Sequence, residues 1–301
     1  WSRERFTLDK DMSNAVNHVF LSLFNKGLIY KDKRITNWDV SLQTAVSDLE
    51  VEQKEQEGQF VYIKYFFEDR KSYLEVATTR PETLFGDQCL AVNPSDERYK
   101  ELIGEKVWLP LTNKKIPVIA DEYVDKEKGS GVLKVTPAHD FNDHKVGIKH
   151  NLKMHIVFDK YGKFNDDVPF KYKGKDRLIA RKEILEDLRA TNCLIKIEKI
   201  IHSIPYGDRS GSVIEPYLTD QWFLNVKPLA RDVINKVKNK ETNFYPSSWT
   251  KIFFNWMNSI EPWCISRQIW WGHRLPIWYG PDNKIFAASN ETEAQALAEK
   301  F

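Results

Sequence analysis

The chain has 301 residues, of which 42% are hydrophobic and 29% charged, and its net charge is +2. That balance excludes a disordered or fibrous chain, and the length leaves room for one large domain or two ordinary ones. No apolar run approaches the roughly 20 residues that span a bilayer, and the net charge alone does not point to nucleic acid.

The three cysteines, Cys89, Cys193 and Cys264, are widely spaced and contain no CxxC pair. They read as free thiols in a reducing cytoplasm, neither a disulfide framework nor a zinc site. The first residue is Trp and no signal-peptide pattern follows it, so a piece of a longer translation product is expected. Composition is uneven along the chain. Seven of the ten Trp residues fall between Trp222 and Trp278, where eight Lys/Arg face three Asp/Glu within residues 222–280. This shift predicts a boundary near residues 205–220, and the charged run at 50–59 predicts another.

In chain order, Val16, Val19, Phe20, Leu23 and Phe24 mark one helical face, with Ser13 as the expected cap and Gly27 as the stop. Residues 34–52 read as ribbon or loop. Residues 60–67 and 73–79 form an expected hairpin around a polar turn, and short apolar runs recur at 107–109, 116–119, 132–135 and 156–158. Strands at such spacing predict a small barrel or a strongly curved sheet. Leu178, Ile184, Leu185 and Leu188 mark a late helix. Two more helices follow, one led by Pro228 with Leu229, Val233 and Val237. The other is capped by Ser247 or Ser248 and carries Trp249, Ile252, Phe253 and Trp256. Those Trp residues read as packing residues in a core or interface.

Two segments concentrate chemistry. Thr78, Thr79, Arg80, Pro81, Glu82 and Thr83 gather hydroxyls and a guanidinium where a strand ends. Capping threonines at a strand exit would give the same pattern. In the second, a Gly129–Gly131 turn leads through Lys134 and Thr136 to Pro137, His139, Asp140 and Asp143. The i, i+3 spacing puts both carboxylates on one side of a helical turn. There Asp140 suits an ammonium, and Asp143 suits a hydroxyl donor. An acid/base pair and simple helix capping are the other readings. A metal site with His139 and His144 lacks any standard ligand spacing.

The run TTRPETLFGD at 78–87, followed by KVTPAHDFND at 134–143, resembles the editing domain of class I aminoacyl-tRNA synthetases. Within that class it is similar to the valine enzymes. Leucine enzymes usually carry Asp after the TTRP proline, where this chain has Glu82, and a different run before PAHD. Isoleucine enzymes have a more divergent threonine-rich segment. The flanks agree, with Asn37-Trp38-Asp39 and residues 44–52 on the incoming side and Arg209-Ser210-Gly211 with Glu215-Pro216 on the outgoing side. Residues 263–268 and 271–274 resemble the return to the catalytic core. The likeness extends over about residues 1–279. Lys128 stands where members often carry an aromatic residue. Neither HIGH nor KMSKS, the activation motifs of the class, occurs in these residues.

The resemblance implies an α+β fold. A β-barrel-like editing domain with peripheral helices would cover residues 56–203. Partial catalytic-domain segments would flank it at 1–55 and 204–301, with two-stranded linkers near 34–55 and 199–222 and exposed, less ordered apolar surface on the outer pieces. It further implies hydrolysis of Thr mistakenly esterified to the 3′-terminal adenosine of tRNA(Val), by a cytoplasmic monomer. Asp140 would hold the α-ammonium and Asp143 the Thr hydroxyl. Lys134 and Thr136 would line the pocket, and Thr78, Thr79 and Arg80 would position the terminal nucleotide. No metal or cofactor would serve editing, whereas ATP and Mg would serve the synthetic site of a full-length enzyme. The rationale is energetic, because adding one hydroxyl to an apolar Val pocket discriminates only about 100-fold, a figure that belongs to the valine enzymes in general. A second pocket that hydrogen-bonds the hydroxyl inverts the preference. Three alternatives stand beside this reading: a tRNA-binding module inactive in isolation, a leucine-type editing domain and a metal-dependent hydrolase.

Overall fold

The computed structural model describes residues 3–300, so Trp1 and Ser2 of the expected outer segment, and Phe301, lie outside the described residues. The chain begins with α1 (Lys10–Asn25), β1 (Ile29–Asp39) and β2 (Thr44–Val46), then β3 (Val51–Phe66), β4 (Tyr73–Thr78), β5 (Cys89–Val92) and β6 (Lys106–Trp108). It continues with β7 (Lys115–Ala120), β8 (Val132–Val135), α2 (Phe141–Lys149), α3 (Arg177–Ala190), β9 (Leu194–Gly207) and β10 (Glu215–Leu224). The last elements are α4 (Lys227–Lys238), α5 (Trp249–Asn258), β11 (Trp263–Cys264), β12 (Ile277–Tyr279), β13 (Ile285–Ala287) and α6 (Glu291–Ala298). The chain falls into two compact units, Arg34–Thr219 and a second made of Trp1–Lys33 with Asp220–Phe301.

The Arg34–Thr219 unit contains two whole sheets, beside the antiparallel pairing of β1 with β2. One has the order β4-β3-β9 and the other β6-β7-β5-β8. Strand β5 runs parallel to β7 and antiparallel to β8. The anticipated hairpin forms as β3–β4, with Val61 opposite Thr78 and Phe66 opposite Tyr73. The charged run at 50–59 lies mostly in β3, whose outer half is largely exposed and pairs with residues 199–207 of β9. Leucine, isoleucine and valine side chains from both sheets, such as Ile63, Val76, Leu90 and Val107, are fully buried in one core with Ile184 and Leu188 of α3. Hydrophobic burial on this scale is what holds such a unit together. The α+β class stands, while the curvature comes from open sheets, none of which closes into a barrel.

Several local expectations shift for identifiable reasons. Helix α1 is capped by Asp9, whose Oδ1 accepts from Met12 N at 2.8 Å, one turn before Ser13. Gly27 at φ +69° ends it as anticipated. Residues 156–158 form no strand. Val157 and Phe158 are buried, but only a single bridge joins Phe158 to Phe164. On α3 the buried face is Arg177, Ala180, Ile184 and Leu188, so Leu178, at 47% exposure, points away from it. A charged residue took the place that apolar periodicity assigns to Leu178, because Arg177 is paired with Glu215.

The other unit has a small core of Phe20, Ile29, Trp222 and Leu224, with the rings of Phe20 and Trp222 edge to face at 6.4 Å. Most of its remaining Trp residues are not packed. Trp249, Ile252 and Trp256 share a face of α5, as their spacing predicts, yet each is more than half exposed, and Trp270 and Trp271 are more exposed still. Ser248 occupies the cap position of α5 without a side-chain bond.

The α3 assignment is checked by truncation. Leu188→Ala should cost about 2–5 kcal/mol in urea denaturation of the chain, and Leu178→Ala should stay within about 1 kcal/mol. Equal costs would contradict the buried face described here.

Candidate functional site

Strand β4 ends at Thr78, whose Oγ1 accepts from Arg80 N at 3.0 Å and turns the chain. Pro81 then opens a single 3-10 turn, Pro81–Gly86, in which all six residues are buried. Gly86 is required by close approach, since a Cβ there would lie 2.8 Å from Thr136 Cγ2. The turn delivers Asp87, 1% exposed, to the start of β5. Alongside, β8 pairs Lys134 with Leu90 and ends at Val135, two residues before Pro137. His139 N closes a turn onto Thr136 O at 3.0 Å, and Asp140 starts α2.

Lys134 is buried, and its ammonium has three acceptors: Thr136 Oγ1 at 2.7 Å, Thr83 Oγ1 at 2.8 Å and Asp87 Oδ1 at 3.0 Å. All three of its N–H bonds are thereby used. Asp87 Oδ1 also accepts from Thr136 Oγ1 at 2.6 Å, and its Oδ2 accepts from the hydroxyl of fully buried Tyr65 at 2.7 Å. Burial first, then the Asp87 charge, holds the Tyr65 phenol well above its ordinary range.

The two carboxylates of α2 are placed as their spacing predicts. Asp140 Oδ1 caps the helix, accepting from Asn142 N at 2.8 Å and Asp143 N at 3.0 Å. Asp143 Oδ2 accepts from Thr136 N at 2.8 Å. Among the described residues, neither carboxylate has a cationic partner within salt-bridge distance, and Asp140 Oδ2 and Asp143 Oδ1 accept no hydrogen bond. Asp143 is pushed up to about 7, by burial first and then by the Asp140 charge, with Lys134 and the Thr136 N–H opposing. A buried carboxylate beside a second carboxylate, with no cation within salt-bridge distance, is a site that favours an incoming cation or hydrogen-bond donor.

Lys134, Thr136, Asp140 and Asp143 are thus brought into one network. Thr78, Thr79 and Arg80 form the adjoining turn. The Arg80 guanidinium is committed to the protein's own acceptors: His139 O at 2.8 Å, Glu82 Oε1 at 3.3 Å and Glu215 Oε1. Thr79 O accepts from Arg181 Nη1 at 2.8 Å. His139 and His144 turn to the backbone: His139 Nε2 accepts from Val157 N, and His144 Nδ1 donates to Pro137 O. Among the described residues no group of three or more His, Cys, Asp or Glu could hold a metal ion.

Sequence reasoning placed Thr83 in the hydroxyl-bearing segment and Glu215 in the outgoing flank without giving either a role in the site, and it missed Asp87 and Tyr65. Asp87 lies inside the 78–87 run. Tyr65 carries no local mark. Tyr123 was missed as well. Its phenol is raised by burial and then by the charges of Asp140 and Asp143, so it stands within electrostatic reach of both.

Residues 1–300 match the model of the class I tRNA synthetases (I, L, M and V), and the chain belongs to that family. Within it, the chain is 52% identical to the valine–tRNA ligase of Pelagibacter ubique, over 100% of this chain and 34% of that protein. It is 51% identical to the valine–tRNA ligase of Bradyrhizobium diazoefficiens, over 98% of this chain and 33% of the relative. The corresponding protein of Legionella pneumophila is 50% identical over 98% of this chain and 32% of its own length. The chain spans about a third of the length of these curated relatives.

The raised Asp143 pKa has a stability consequence. The folded state holds this proton more tightly than the unfolded chain, whose Asp titrates near 4. The stability associated with the site is therefore highest below pH ~4, falls as pH rises to about 7, and is level above. Asp143→Asn should gain on the wild type in unfolding free energy through that window, by at most about 4 kcal/mol at about 1.4 kcal/mol per pKa unit, read by urea denaturation at several pH values. An offset independent of pH would count against the assignment.

Proposed function

We propose that the Arg34–Thr219 unit is an editing hydrolase that removes Thr from the 3′-terminal adenosine of tRNA(Val) by cleaving the aminoacyl ester. The observation that carries this reading is the pair of carboxylates, Asp140 and Asp143, with open oxygens and no cation, set against the Lys134–Thr136–Asp87 network. The α-ammonium of an aminoacyl ester supplies the missing cation, and Asp140, at the mouth of α2, is its acceptor. Asp143 and the hydroxyl-lined wall at Thr136 and Thr83 receive the Thr hydroxyl. Val in the same place leaves the buried Asp143 carboxylate oxygen unpaired, at roughly 1–3 kcal/mol.

An aminoacyl ester is already an activated electrophile, so a positioned water and donors for the developing oxyanion suffice without a protein nucleophile. Lys134 acts here as an organising cation, since its three protons are already engaged. Thr78, Thr79 and the turn braced by Arg80 face the nucleotide end of the substrate. The step needs no metal or cofactor; ATP and Mg belong to the synthetic reaction of a whole enzyme of this family. The valine specificity draws on the relatives, which are valine–tRNA ligases. The setting is the cytoplasm, where three free buried thiols persist reduced, and the chain acts as a monomer. No helix among the described residues is long and apolar enough to cross a membrane.

Incubation of the chain with Thr-charged tRNA(Val) should release free Thr, and Asp140→Ala should lower the rate by roughly a hundredfold or more. Release that Asp140→Ala leaves unchanged would remove Asp140 from the site. Steep loss of tRNA binding with salt, without any release, would favour a binding module instead.

A further inference from the structure

Glu215 is the first residue of β10, the strand on which the chain leaves the Arg34–Thr219 unit. It is 3% exposed and accepts from two guanidiniums at once. Its Oε1 accepts from Arg80 Nη2, and its Oε2 accepts from Arg177 Nε at 2.9 Å. Arg177, itself 3% exposed, is further held by Val213 O at 3.3 Å. The carboxylate is therefore gripped on one side by α3 and grips Arg80 on the other.

Arg80 passes that constraint on. Its Nη1 donates to His139 O at 2.8 Å, the carbonyl of the peptide that leads into Asp140. The His139 ring is immobilised from its far side, where Nε2 accepts from Val157 N at 3.0 Å and the ring stands edge-on to Phe158 at 4.8 Å. Its Nδ1 lies 3.9 Å from Glu215 Oε1, buried and without a hydrogen-bond partner among the described residues. Burial, then the charges of Arg80 and Lys134, keep this imidazole well below its ordinary pKa, and it is neutral. Asp140 is also held by its own capping of α2, by the turn that His139 N closes onto Thr136 O, and by its carbonyl, which accepts from His144 N at 2.9 Å.

We propose that Glu215 is a positioning residue of the candidate site: through Arg80 it fixes the His139–Asp140 turn and so aims the Asp140 carboxylate. The inference rests on the hydrolase reading for what Asp140 holds, but not for how Asp140 is held. Buried charge networks contribute little net stability, because desolvation offsets the attraction, whereas removing one member leaves the others uncompensated. In Glu215→Gln, Arg80 loses one of its two buried counter-charges, and the bond to His139 O weakens with it. Glu82 accepts only from Nε of Arg80, at 3.3 Å, and shares itself with Arg181 at 3.2 Å, so it does not replace Glu215.

The test joins a structural and a kinetic readout on the whole chain. In Glu215→Gln, the amides of Asn142 and Asp143, which Asp140 caps, should exchange with solvent at least roughly tenfold faster, while amides of the sheet core such as Leu90 keep their protection. On Thr-charged tRNA(Val), kcat/KM should fall roughly tenfold to a hundredfold, and the same change made in an Asp140→Asn background should add no further loss. If Glu215→Gln does not fold, Glu215→Asp, which keeps the charge on a shorter arm, is read in the same way. Unchanged exchange at Asn142 and Asp143, proportional loss of protection throughout the unit, or additive losses in the double variant would each overturn the proposal. If the wild type releases no Thr, the hydrolase reading fails, and the exchange result still decides the role of Glu215.

Discussion

The buried contact between Lys134 and Asp87 is the interaction on which the site depends. An ammonium and a carboxylate, 7% and 1% exposed, meet at 3.0 Å where β8 lies beside the start of β5. Such a pair is not chosen for stability, since well-packed apolar residues of the same volume usually do as well. What it gives is order. The lysine collects the hydroxyls of Thr83 and Thr136, and the aspartate reaches down to Tyr65, whose ring is fully inside the core. The polar groups of the candidate site are thereby fastened to the buried core of the unit.

Around that contact the two motif turns divide the work. The Pro81–Gly86 turn is buried throughout and supplies Thr83 and Asp87 as fixed acceptors. The Thr136–Asp140 turn supplies carboxylates with open oxygens at the first turn of α2. One turn is already satisfied and the other is electrostatically incomplete. In the proposed function, recognition of a charged or hydroxylated ligand rests on the second, and its geometry is maintained by the first.

Much of this was legible in the residues because it is local. Pro81 and Pro137 mark where strands stop, the i, i+3 spacing of Asp140 and Asp143 sets their common side, and the hairpin turns where its polar residues lie. The misses have a common physical origin, namely that long-range partners change what a residue does. Arg177 is buried on α3 only because Glu215 comes to it across the fold, so a count of apolar positions put Leu178 on the wrong side. Arg80 gives no sequence sign that it is bonded to Glu215, Glu82 and His139 O. Tyr65 reads as one more strand aromatic until Asp87 is found beside its hydroxyl. The Trp249–Ile252–Trp256 face shows the limit from the other direction, because helical spacing identifies the stripe without saying whether anything covers it.

The central claim is that the pocket is built to accept a hydroxyl-bearing side chain and to reject its apolar isostere. The most direct measurement is the ratio of hydrolysis rates, under single-turnover conditions, for tRNA(Val) charged with Thr and with Val. The account expects Thr to be released at least about fivefold faster, since one unpaired buried polar group costs roughly 1–3 kcal/mol. Equal rates, or faster release of Val, would contradict it.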